Sequence, residues 1–451
     1  MSFSKTTAPA ILESSLSTTP YSRFTILTCD PVDEFVYGRW NSVCPFRSLD
    51  ARVATYPTAV NPDAALPFVG GWIGFLTYEV GLHIERIECT TRGERGLPLV
   101  CFRLYDFAAI HDHAEGRWYA LAVDWPAEIA RRRPPVSARL ASVRTILEQA
   151  SALSSEAAPP GWTCSTPEPN MSRRAYSAKI EKAKRYIEAG DIYQVNLTQR
   201  WTATTDATPL ELYRRLRRIS PSSHAALLPW GEFAVISSSP ELFLELRGRH
   251  VVTRPIKGTR PRGDDPRSDN ANREELAQSE KERAELTMIV DLLRNDLGRV
   301  CSFGSVRVTE PGMIEQHPNV FHRVATIEGD LEPGRTWLEL LWASFPGGSI
   351  TGAPKIRAMQ IIDELEPTQR GVYCGSIGII GLDGSLSLNI AIRTMFQLGD
   401  RVHVYAGGAI VADSTADQEY DETIAKAAGM MRTLGCVSLD AAADREEVVV
   451  T

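Results

Sequence analysis

The amino-acid sequence predicts an α+β fold built from antiparallel sheets and separate helices. Short runs rich in β-branched and aromatic residues, bounded by turn residues, fill much of residues 1–125 and return between residues 192 and 406. Longer segments with helical spacing of apolar residues interrupt these runs. Strands and helices do not alternate regularly, as they would in a parallel sheet with crossover helices, and no repeat of short period is present.

Composition sets the broad class of the protein. With 451 residues and 43% hydrophobic content, the chain can bury a large core, equivalent to about two to three domains. A net charge of −7 gives no basic surface for nucleic acid, and the lack of a signal-like N-terminus or a long apolar run predicts no contact with a membrane. The eight cysteines include no Cys-x-x-Cys pair, which predicts reduced thiols and a cytoplasmic location.

The first region, residues 1–150, is predicted to contain four strands, a glycine-rich bend and a broken helix. Three glycines lie among large apolar residues in residues 67–79, which suits close backbone packing in a sheet more than phosphate binding. Residues 127–150 have helical spacing that two prolines interrupt. Residues 151–170 are rich in Ser, Ala, Pro and Thr and are predicted to form a linker. The four strands are expected at residues 21–29, 35–40, 100–105 and 118–123.

A second region, residues 171–437, begins with an amphipathic helix and is followed by a C-terminal tail, residues 438–451. Ser172 is expected to cap this first helix and Gly190 to end it. Further helices are expected at residues 278–299 and 417–434, and strands at 195–201, 225–228, 232–237, 241–246, 304–308, 320–329, 373–382, 385–397 and 401–406, of which the last two should pair as a hairpin.

Lys257, in the segment 255–263, is the candidate reactive residue of the chain. Residues 247–254 read as two strands joined by a glycine turn, so Lys257 is expected to leave a strand and enter a loop. Gly258 permits close approach of the backbone there. A lysine beside isoleucine and two prolines would be partly desolvated, which lowers its pKa from ~10.4 and makes it a usable nucleophile. A solvated loop lysine is the alternative that the spacing leaves open.

The segment 255–263 resembles the signature loop of the chorismate-utilising enzymes. This family includes anthranilate synthase component I, aminodeoxychorismate synthase component I, isochorismate synthase and salicylate synthase. A lysine in the loop resembles the aminodeoxychorismate synthases, whereas anthranilate synthases usually carry alanine there. The resemblance implies two similar halves with antiparallel sheets packed between helices, an N-terminal region like that of anthranilate synthase component I, and a chorismate-binding catalytic region. Further matches lie at residues 190–197, 239–243, 281–285, 288–299, 345–359 and 371–378.

Two pairs of glutamates are candidate metal ligands. Glu282 and Glu285 share one helix face, as do Glu419 and Glu422. Solvated helix surface is the ordinary interpretation of such pairs. The resemblance implies that both helices bind Mg²⁺, with Glu285 and Glu422 as direct ligands and Glu282 and Glu419 as outer partners. It also implies that Lys426, one turn past Glu422, contacts a substrate carboxylate, although pairing with Glu422 is the alternative.

Chorismate carries two carboxylates, and the resemblance implies which groups hold them. Arg393 is a single charge in a predicted apolar strand and offers a bidentate fork, unless it closes a buried ion pair. The hydroxyl of Tyr373 and the backbone amides of Gly407, Gly408 and Ala409 would donate to a carboxylate. The family often has a third glycine at position 409, so a positive φ at Ala409 would be strained.

Three further residues complete the expected site. Thr351 is expected to cap a helix whose N-terminal amides face the pocket. His322 lies on an apolar strand and would ordinarily be a core histidine, but the resemblance places it near the reacting face of the substrate. Glu241 would be the general acid.

The resemblance implies a reaction in which Lys257 attacks C2 of chorismate and displaces the C4 hydroxyl with an allylic shift. Glu241 would protonate the departing oxygen, and ammonia would then add at C4 and expel the lysine. The product would be 4-amino-4-deoxychorismate, for p-aminobenzoate and folate synthesis. Because the sequence shows no glutaminase region with a cysteine nucleophile, the ammonia is expected from a partner glutamine amidotransferase subunit in a heterodimer.

Other functions stay open from the sequence. Anthranilate synthase component I would use the same metal and anchoring groups and finish with loss of pyruvate, and isochorismate synthase is the next alternative. A non-catalytic chorismate- or tryptophan-binding subunit is the alternative of another class, since residues 11–15 and 20–24 resemble the tryptophan-binding region of the family. The presence of Lys257, Glu241 and both glutamate pairs argues against a non-catalytic protein.

Overall fold

The computed structural model describes residues 8–14, 22–38, 43–60, 66–151, 161–317 and 320–436. Within these residues the chain forms two large antiparallel sheets packed between helices, which confirms the predicted α+β class. The predicted tail, residues 438–451, and residues 152–160 of the predicted linker lie outside the described residues. No helix in the described ranges is long and apolar enough to cross a membrane.

The first region contains seven strands and four helices in its described residues, and its helix is broken at the two prolines as predicted. The strands are β1 (Ala10–Glu13), β2 (Phe24–Thr28), β3 (Asp33–Tyr37), β4 (Gly71–Leu76), β5 (Val100–Tyr105), β6 (Phe107–Asp112) and β7 (Arg117–Ala122), and the helices are α1 (Pro45–Val53), α2 (Glu79–Ile84), α3 (Ala127–Ala130) and α4 (Val136–Ser151).

The part of the chain from residue 161 onward, which covers the end of the predicted linker and the second region, contains the remaining elements. Its helices are α5 (Arg173–Glu188), α6 (Pro209–Ile219), α7 (Pro266–Gln278), α8 (Glu280–Gly298), α9 (Trp337–Ser344), α10 (Lys355–Leu365) and α11 (Ala416–Thr433), with a 3-10 turn at Gly348–Ile350. Its strands are β8 (Glu168–Pro169), β9 (Gln194–Thr204), β10 (His224–Trp230), β11 (Phe233–Ser239), β12 (Leu242–Arg247), β13 (His250–Arg254), β14 (Ile256–Pro261), β15 (Arg307–Gln316), β16 (Val320–Asp330), β17 (Gly352–Ala353), β18 (Ser376–Gly381), β19 (Leu386–Asn389), β20 (Thr394–Leu398) and β21 (Arg401–Ile410).

Each sheet combines strands from both regions. In the described residues the first sheet has the order β17-β9-β21-β20-β11-β10-β1-β2-β6-β7, with β8 also paired to β9. The second sheet has the order β14-β16-β13-β12-β19-β18-β4-β5-β3, with β15 also paired to β16. Residues 161–170, the described part of the predicted linker, run beside β9 and include β8. The division of the chain into domains stays a prediction.

The two sheets pack face to face, with helices on their other faces. Phe75 and Ile379 of the second sheet meet Val235 and Phe396 of the first in one buried apolar cluster. Helices α6 and α11 bury their apolar faces against the first sheet. Helices α8 and α9 belong to the large cluster on the far side of the second sheet, where α8 packs on β14 and β16. This arrangement brings α8 and α11, the two helices with glutamate pairs, toward the ends of β14 and β21.

The glycine-rich bend is a fully buried strand, β4, rather than a phosphate-binding loop. A Cβ on Gly74 would lie 1.9 Å from the carbonyl oxygen of Cys101 on the neighbouring strand. Glycine is therefore required for the close backbone packing that the sequence predicted.

The predicted strand at residues 385–397 is wrong as a single element. The chain leaves the second sheet after β19 and enters the first sheet at β20, and the residues between them include Arg393 at φ +49°. The apolar residues of this segment are buried in either sheet, so periodicity alone did not reveal the crossing.

Two further local expectations are wrong. Lys257 lies within β14, because residues 256–261 pair with β16 through an irregularity that contains Gly258 at φ +91°. Thr351 does not cap α10: that helix starts after Pro354, and the Thr351 hydroxyl donates to the carbonyl oxygen of Gly347 at 3.0 Å. Helix α7, which follows β14, was not predicted.

Candidate active site

Lys257 lies on β14 at the edge of the second sheet and points toward the 3-10 turn. Its Nζ donates to the carbonyl oxygen of Ser349 at 3.4 Å. Burial lowers the pKa of the Lys257 amine, while the carboxylates of Glu285 and Glu241 act to raise it. A lysine in this environment carries a larger share of neutral amine than a solvated one.

Glu241 lies between β11 and β12 and is 4% exposed. The hydroxyl of Ser349 donates to Glu241 Oε1 at 2.6 Å. Burial raises the pKa of the Glu241 carboxyl to about 7, against the opposing effects of the Ser349 hydroxyl and the Lys257 ammonium. Near neutral pH this carboxyl can therefore hold or release a proton.

Ser349 connects the amine and the acid, and the sequence reasoning did not select it. Its carbonyl oxygen accepts from Lys257 Nζ and also from Asn196 Nδ2 at 2.7 Å, while its hydroxyl donates to Glu241. Both Ser349 and Asn196 lie in segments that match the family, but neither type of side chain signals such a role without the fold.

A buried ion pair between Arg370 and Glu366 holds the backbone next to Ser349 and Asn196. The guanidinium of Arg370 contacts Glu366 at 2.6 Å and donates to the carbonyl oxygens of Ile350 and Asn196, each at 2.8 Å. Arg370 therefore fixes the residue next to Ser349 and the backbone of the asparagine that bonds to it. Sequence reasoning missed this pair as well, because Glu366 and Arg370 resemble an exposed helical i, i+4 pair.

His322 is buried on β16 beside the strand that carries Lys257. Its Nδ1 lies 2.9 Å from the hydroxyl of Thr259. Burial lowers the pKa of His322 well below its usual value, and the nearby Arg393 charge acts in the same direction. A neutral imidazole at this place holds β14 against β16 close to Lys257.

Arg393 sits between β19 and β20, not within a strand. Burial lowers the pKa of its guanidinium. Among the described residues no carboxylate lies within salt-bridge distance of Arg393, so the alternative of a buried ion pair finds no support. The guanidinium can accept an anionic group from a ligand.

Tyr373 is buried just before β18, and its ring stacks on Tyr405 with centroids 5.4 Å apart and planes at 11°. Burial raises the pKa of Tyr373 well above its usual value, so its hydroxyl stays protonated and can donate.

Gly407, Gly408 and Ala409 lie on β21, opposite residues 196–198 of β9. Ala409 is in extended backbone, so the strain anticipated for this alanine does not arise. Lys426 Nζ donates to the carbonyl oxygen of Gly407 at 3.0 Å and contacts Glu422 at 2.6 Å. In this structure Lys426 takes the alternative role expected for it, as the partner of Glu422.

The two glutamate pairs approach each other across α8 and α11. Lys281 of α8 lies 3.8 Å from Glu419 of α11. Burial raises the pKa values of Glu285 and Glu419. Burial acts in the same direction on Glu422, but the ammonium groups of Lys426, Lys281 and Lys257 together outweigh it, and the pKa of Glu422 is lowered. Glu282 lies nearer β14, with Oε1 3.4 Å from the guanidinium of Arg260.

The chemistry of these carboxylates suits a hard cation such as Mg²⁺. Glu419 Oε2 is buried without a hydrogen-bond partner. A Cβ on Gly408 would lie 3.0 Å from this oxygen and 3.8 Å from Glu422 Oε1, so the glycine leaves space between the two carboxylates. Across the described ranges no three His, Cys, Asp or Glu side chains already stand close enough to hold a metal ion. The residues fit an oxygen-ligated cation in kind, and the metal stays a prediction.

A separate cavity borders the segments that resemble a tryptophan-binding region. It has a volume of about 330 Å³, and Glu13, Ser14, Arg23 and Phe24 are among the residues that line it. Residues 15, 20 and 21 of those segments lie outside the described residues. The cavity lies between β1, β2 and β10 of the first sheet and β12, β18 and β19 of the second, and Lys257 does not line it.

Comparisons with known proteins identify the family of the chain. The sequence model of the chorismate binding enzymes matches residues 9–432. Aminodeoxychorismate synthase component 1 of Salmonella typhimurium is 39% identical over 90% of this chain and 88% of that protein, and anthranilate synthase component 1 of Thermus thermophilus is 39% identical over 86% and 82%. The crystal structure of anthranilate synthase component I from Streptococcus pneumoniae is similar with a TM-score of 0.79 and 32% identity, covering 91% of this chain and 92% of that one.

Ser349→Ala is expected to raise the pKa of Glu241 above about 7, because the donated hydroxyl opposes the effect of burial on the carboxyl. Ser349→Thr keeps a hydroxyl and serves as the control. Infrared difference spectroscopy during a pH titration measures this pKa, with Glu241→Gln used to assign the carboxyl band. A pKa in Ser349→Ala equal to or below that of the wild type would contradict the assigned hydrogen bond.

Proposed function

The chain belongs to the family of chorismate binding enzymes, and from this membership we propose that it is an aminodeoxychorismate synthase component I. It would convert chorismate and ammonia to 4-amino-4-deoxychorismate. Overall identity does not select this activity, since aminodeoxychorismate synthases and anthranilate synthases are equally similar to the chain. The observation that carries the proposal is Lys257, whose amine lies in a desolvated site beside Ser349 and near Glu241.

Lys257 is the proposed nucleophile. Its neutral amine attacks C2 of chorismate, the ring double bond shifts, and the C4 hydroxyl leaves with the electron pair of its bond. Because burial lowers the pKa of this amine, less free energy is needed to reach the reactive form. Ammonia then adds at C4 with the reverse shift and expels the lysine amine.

Glu241 is the proposed general acid for the departing hydroxyl. Its pKa of about 7 leaves a substantial protonated fraction at neutral pH. The Ser349 hydroxyl occupies Oε1 and so fixes the orientation of the carboxyl. The C4 hydroxyl, once protonated, leaves as water. The resulting carboxylate of Glu241 can then take a proton from the ammonia that adds at C4.

Arg393 and Tyr373 are the proposed anchors for a substrate carboxylate. Arg393 has a guanidinium with no protein carboxylate in salt-bridge range among the described residues, and Tyr373 has a hydroxyl that stays protonated. The amides of Gly408 and its neighbours on β21 are proposed to add donors. Neutral His322 would hold the Lys257 strand beside the reacting face.

Mg²⁺ is the proposed cofactor, held by Glu285 and Glu422 with Glu282 and Glu419 behind them. When bound, the cation would neutralise a substrate carboxylate. Lys426 would release Glu422 as part of this binding.

The proposed source of ammonia is a glutamine amidotransferase subunit. Support comes from the names of the relatives, which are called component 1 and so imply a second component. A folate-directed, cytoplasmic reaction and tryptophan binding at the cavity beside β1 belong to the same proposal.

Incubation of the protein with chorismate, Mg²⁺ and ammonium is expected to give 4-amino-4-deoxychorismate, identified by mass spectrometry. Lys257→Ala should slow its formation by at least about tenfold, because the covalent route is lost. Anthranilate with released pyruvate would favour the alternative activity, and the amino product at the wild-type rate from Lys257→Ala would remove the reason for preferring this one.

Glu285→Gln and Glu422→Gln are each expected to abolish turnover and weaken Mg²⁺ binding by at least about tenfold, since a neutral amide is a poorer ligand for a hard cation. Titration calorimetry with Mg²⁺ and circular dichroism separate loss of metal from loss of fold. Glu280→Gln, on the exposed side of α8, is the matched control and should behave as the wild type. Full activity of the wild type in metal-free buffer would contradict the metal assignment.

A further inference from the structure

A second cavity lies beside residues 370–373, the segment that ends at the proposed substrate contact Tyr373 and that we call the substrate wall. Its volume is about 490 Å³, and it is lined by the start of α2, by residues 89–99 and by residues 369–372. Thr90 and Thr91 both donate to the carboxylate of Asp363 on α10, at 2.6 and 2.9 Å. One rim of the cavity is therefore already fixed in place, as is usual for a small-molecule site.

The lining of this cavity adjoins Tyr373, a proposed contact of the substrate. Gly371 and Val372 line it and directly precede Tyr373, and Tyr405, which also lines it, stacks on Tyr373 at 5.4 Å. Arg370 belongs to the same lining. Its backbone N–H faces the cavity, and its guanidinium holds the carbonyl of Ile350, next to the Ser349 carbonyl that contacts Lys257.

The lining of this cavity includes the buried carboxyl of Glu79, which is 2% exposed. Its Oε1 accepts from the backbone N–H groups of Arg370 at 2.8 Å and Gly371 at 3.2 Å. Burial raises the pKa of Glu79 to about 7, so both protonation states are accessible near neutral pH. Glu94, also in the lining, is paired with Arg200 at 2.6 Å.

The donors and cations near Glu79 already have other partners or are exposed, so its carboxylate can bind a small cation. The amide of Gln369 donates to Cys89 Sγ at 3.0 Å and to the Thr91 carbonyl at 3.2 Å, so its N–H donors are already used by other residues of the cavity lining. Three arginines contribute to the lining. Arg92 and Arg95 are exposed, whereas the buried guanidinium of Arg370, whose charge also acts on Glu79, is paired with Glu366 at 2.6 Å. A buried carboxylate with carbonyl and thiol neighbours favours a ligand that donates hydrogen bonds and carries positive charge.

We propose that this cavity binds ammonium, with the Glu79 carboxylate as its anionic partner and proton acceptor. The inference rests on the proposed function, in which ammonia is the second substrate. One N–H bond of ammonium breaks and its electron pair stays on nitrogen, while an O–H bond forms on Glu79. Neutral ammonia is thereby released beside the residues that adjoin Tyr373.

Glu79 also clamps residues 370–371, so the test must separate binding of ammonium from support of the substrate wall. Glu79→Gln retains an oxygen that can accept from Arg370 and Gly371 but removes the negative charge. Glu88→Gln removes the same charge from an exposed residue nearby and is the matched control. Leu97→Trp adds bulk to the cavity at another residue of its lining, and Val60→Trp, at a residue that is 89% exposed, controls for added bulk.

The measurement is the KM for ammonium chloride and the KM for chorismate, each with the other substrate saturating. We expect Glu79→Gln and Leu97→Trp to raise the KM for ammonium by about tenfold or more, the scale of one lost charged hydrogen bond, with the KM for chorismate unchanged. Both controls should match the wild type.

The results distinguish failure of the proposed function from failure of the ammonium site. If the wild type forms no amino product from chorismate and ammonium, the proposed function falls and this inference falls with it. If the product forms but neither variant raises the KM for ammonium, the ammonium site alone is overturned. An equal rise of both KM values in Glu79→Gln would also overturn it, because Glu79 would then act as a clamp on the substrate wall.

Discussion

The hydrogen bond from Ser349 to Glu241 is the interaction on which the site depends. Because the carbonyl of the same residue contacts Lys257, one short turn sets the positions of both the acid and the amine. Burial drives the two groups toward their neutral forms: the pKa of the carboxyl rises to about 7 and that of the amine falls. The proposed reaction requires these neutral forms: a protonated carboxyl at Glu241 and an unprotonated amine at Lys257.

The fold brings these residues from separate elements to one place. Lys257 comes from the edge of the second sheet, whereas β17, which follows the turn of Ser349, pairs with the edge of the first sheet. The Arg370–Glu366 pair joins the turn to β9, and Glu79 holds the backbone of Arg370 from the first region. Helix α2 of the first region therefore contributes to the geometry of the site although it carries none of the predicted catalytic groups.

The sequence predicted the α+β class and most long elements, because burial on one face leaves a periodic pattern. It did not predict that β19 and β20 belong to different sheets, since both bury their apolar side chains. Family resemblance selected Lys257, Glu241 and the glutamate pairs, whose roles stay predictions. Ser349, Asn196 and Arg370 were missed because their importance lies in hydroxyl, amide and guanidinium contacts between distant segments, and such contacts leave no local signal.

The central claim is that Lys257 forms a covalent bond to the substrate, and peptide mass spectrometry tests it most directly. Wild-type protein incubated with chorismate and Mg²⁺ but no ammonia source is expected to carry an adduct on the peptide that contains Lys257. Glu241→Gln should lower the amount of adduct, because the C4 oxygen would leave without a proton. An unmodified Lys257 peptide, in protein that forms the amino product once ammonium is added, would show that the lysine is a contact residue and not the nucleophile.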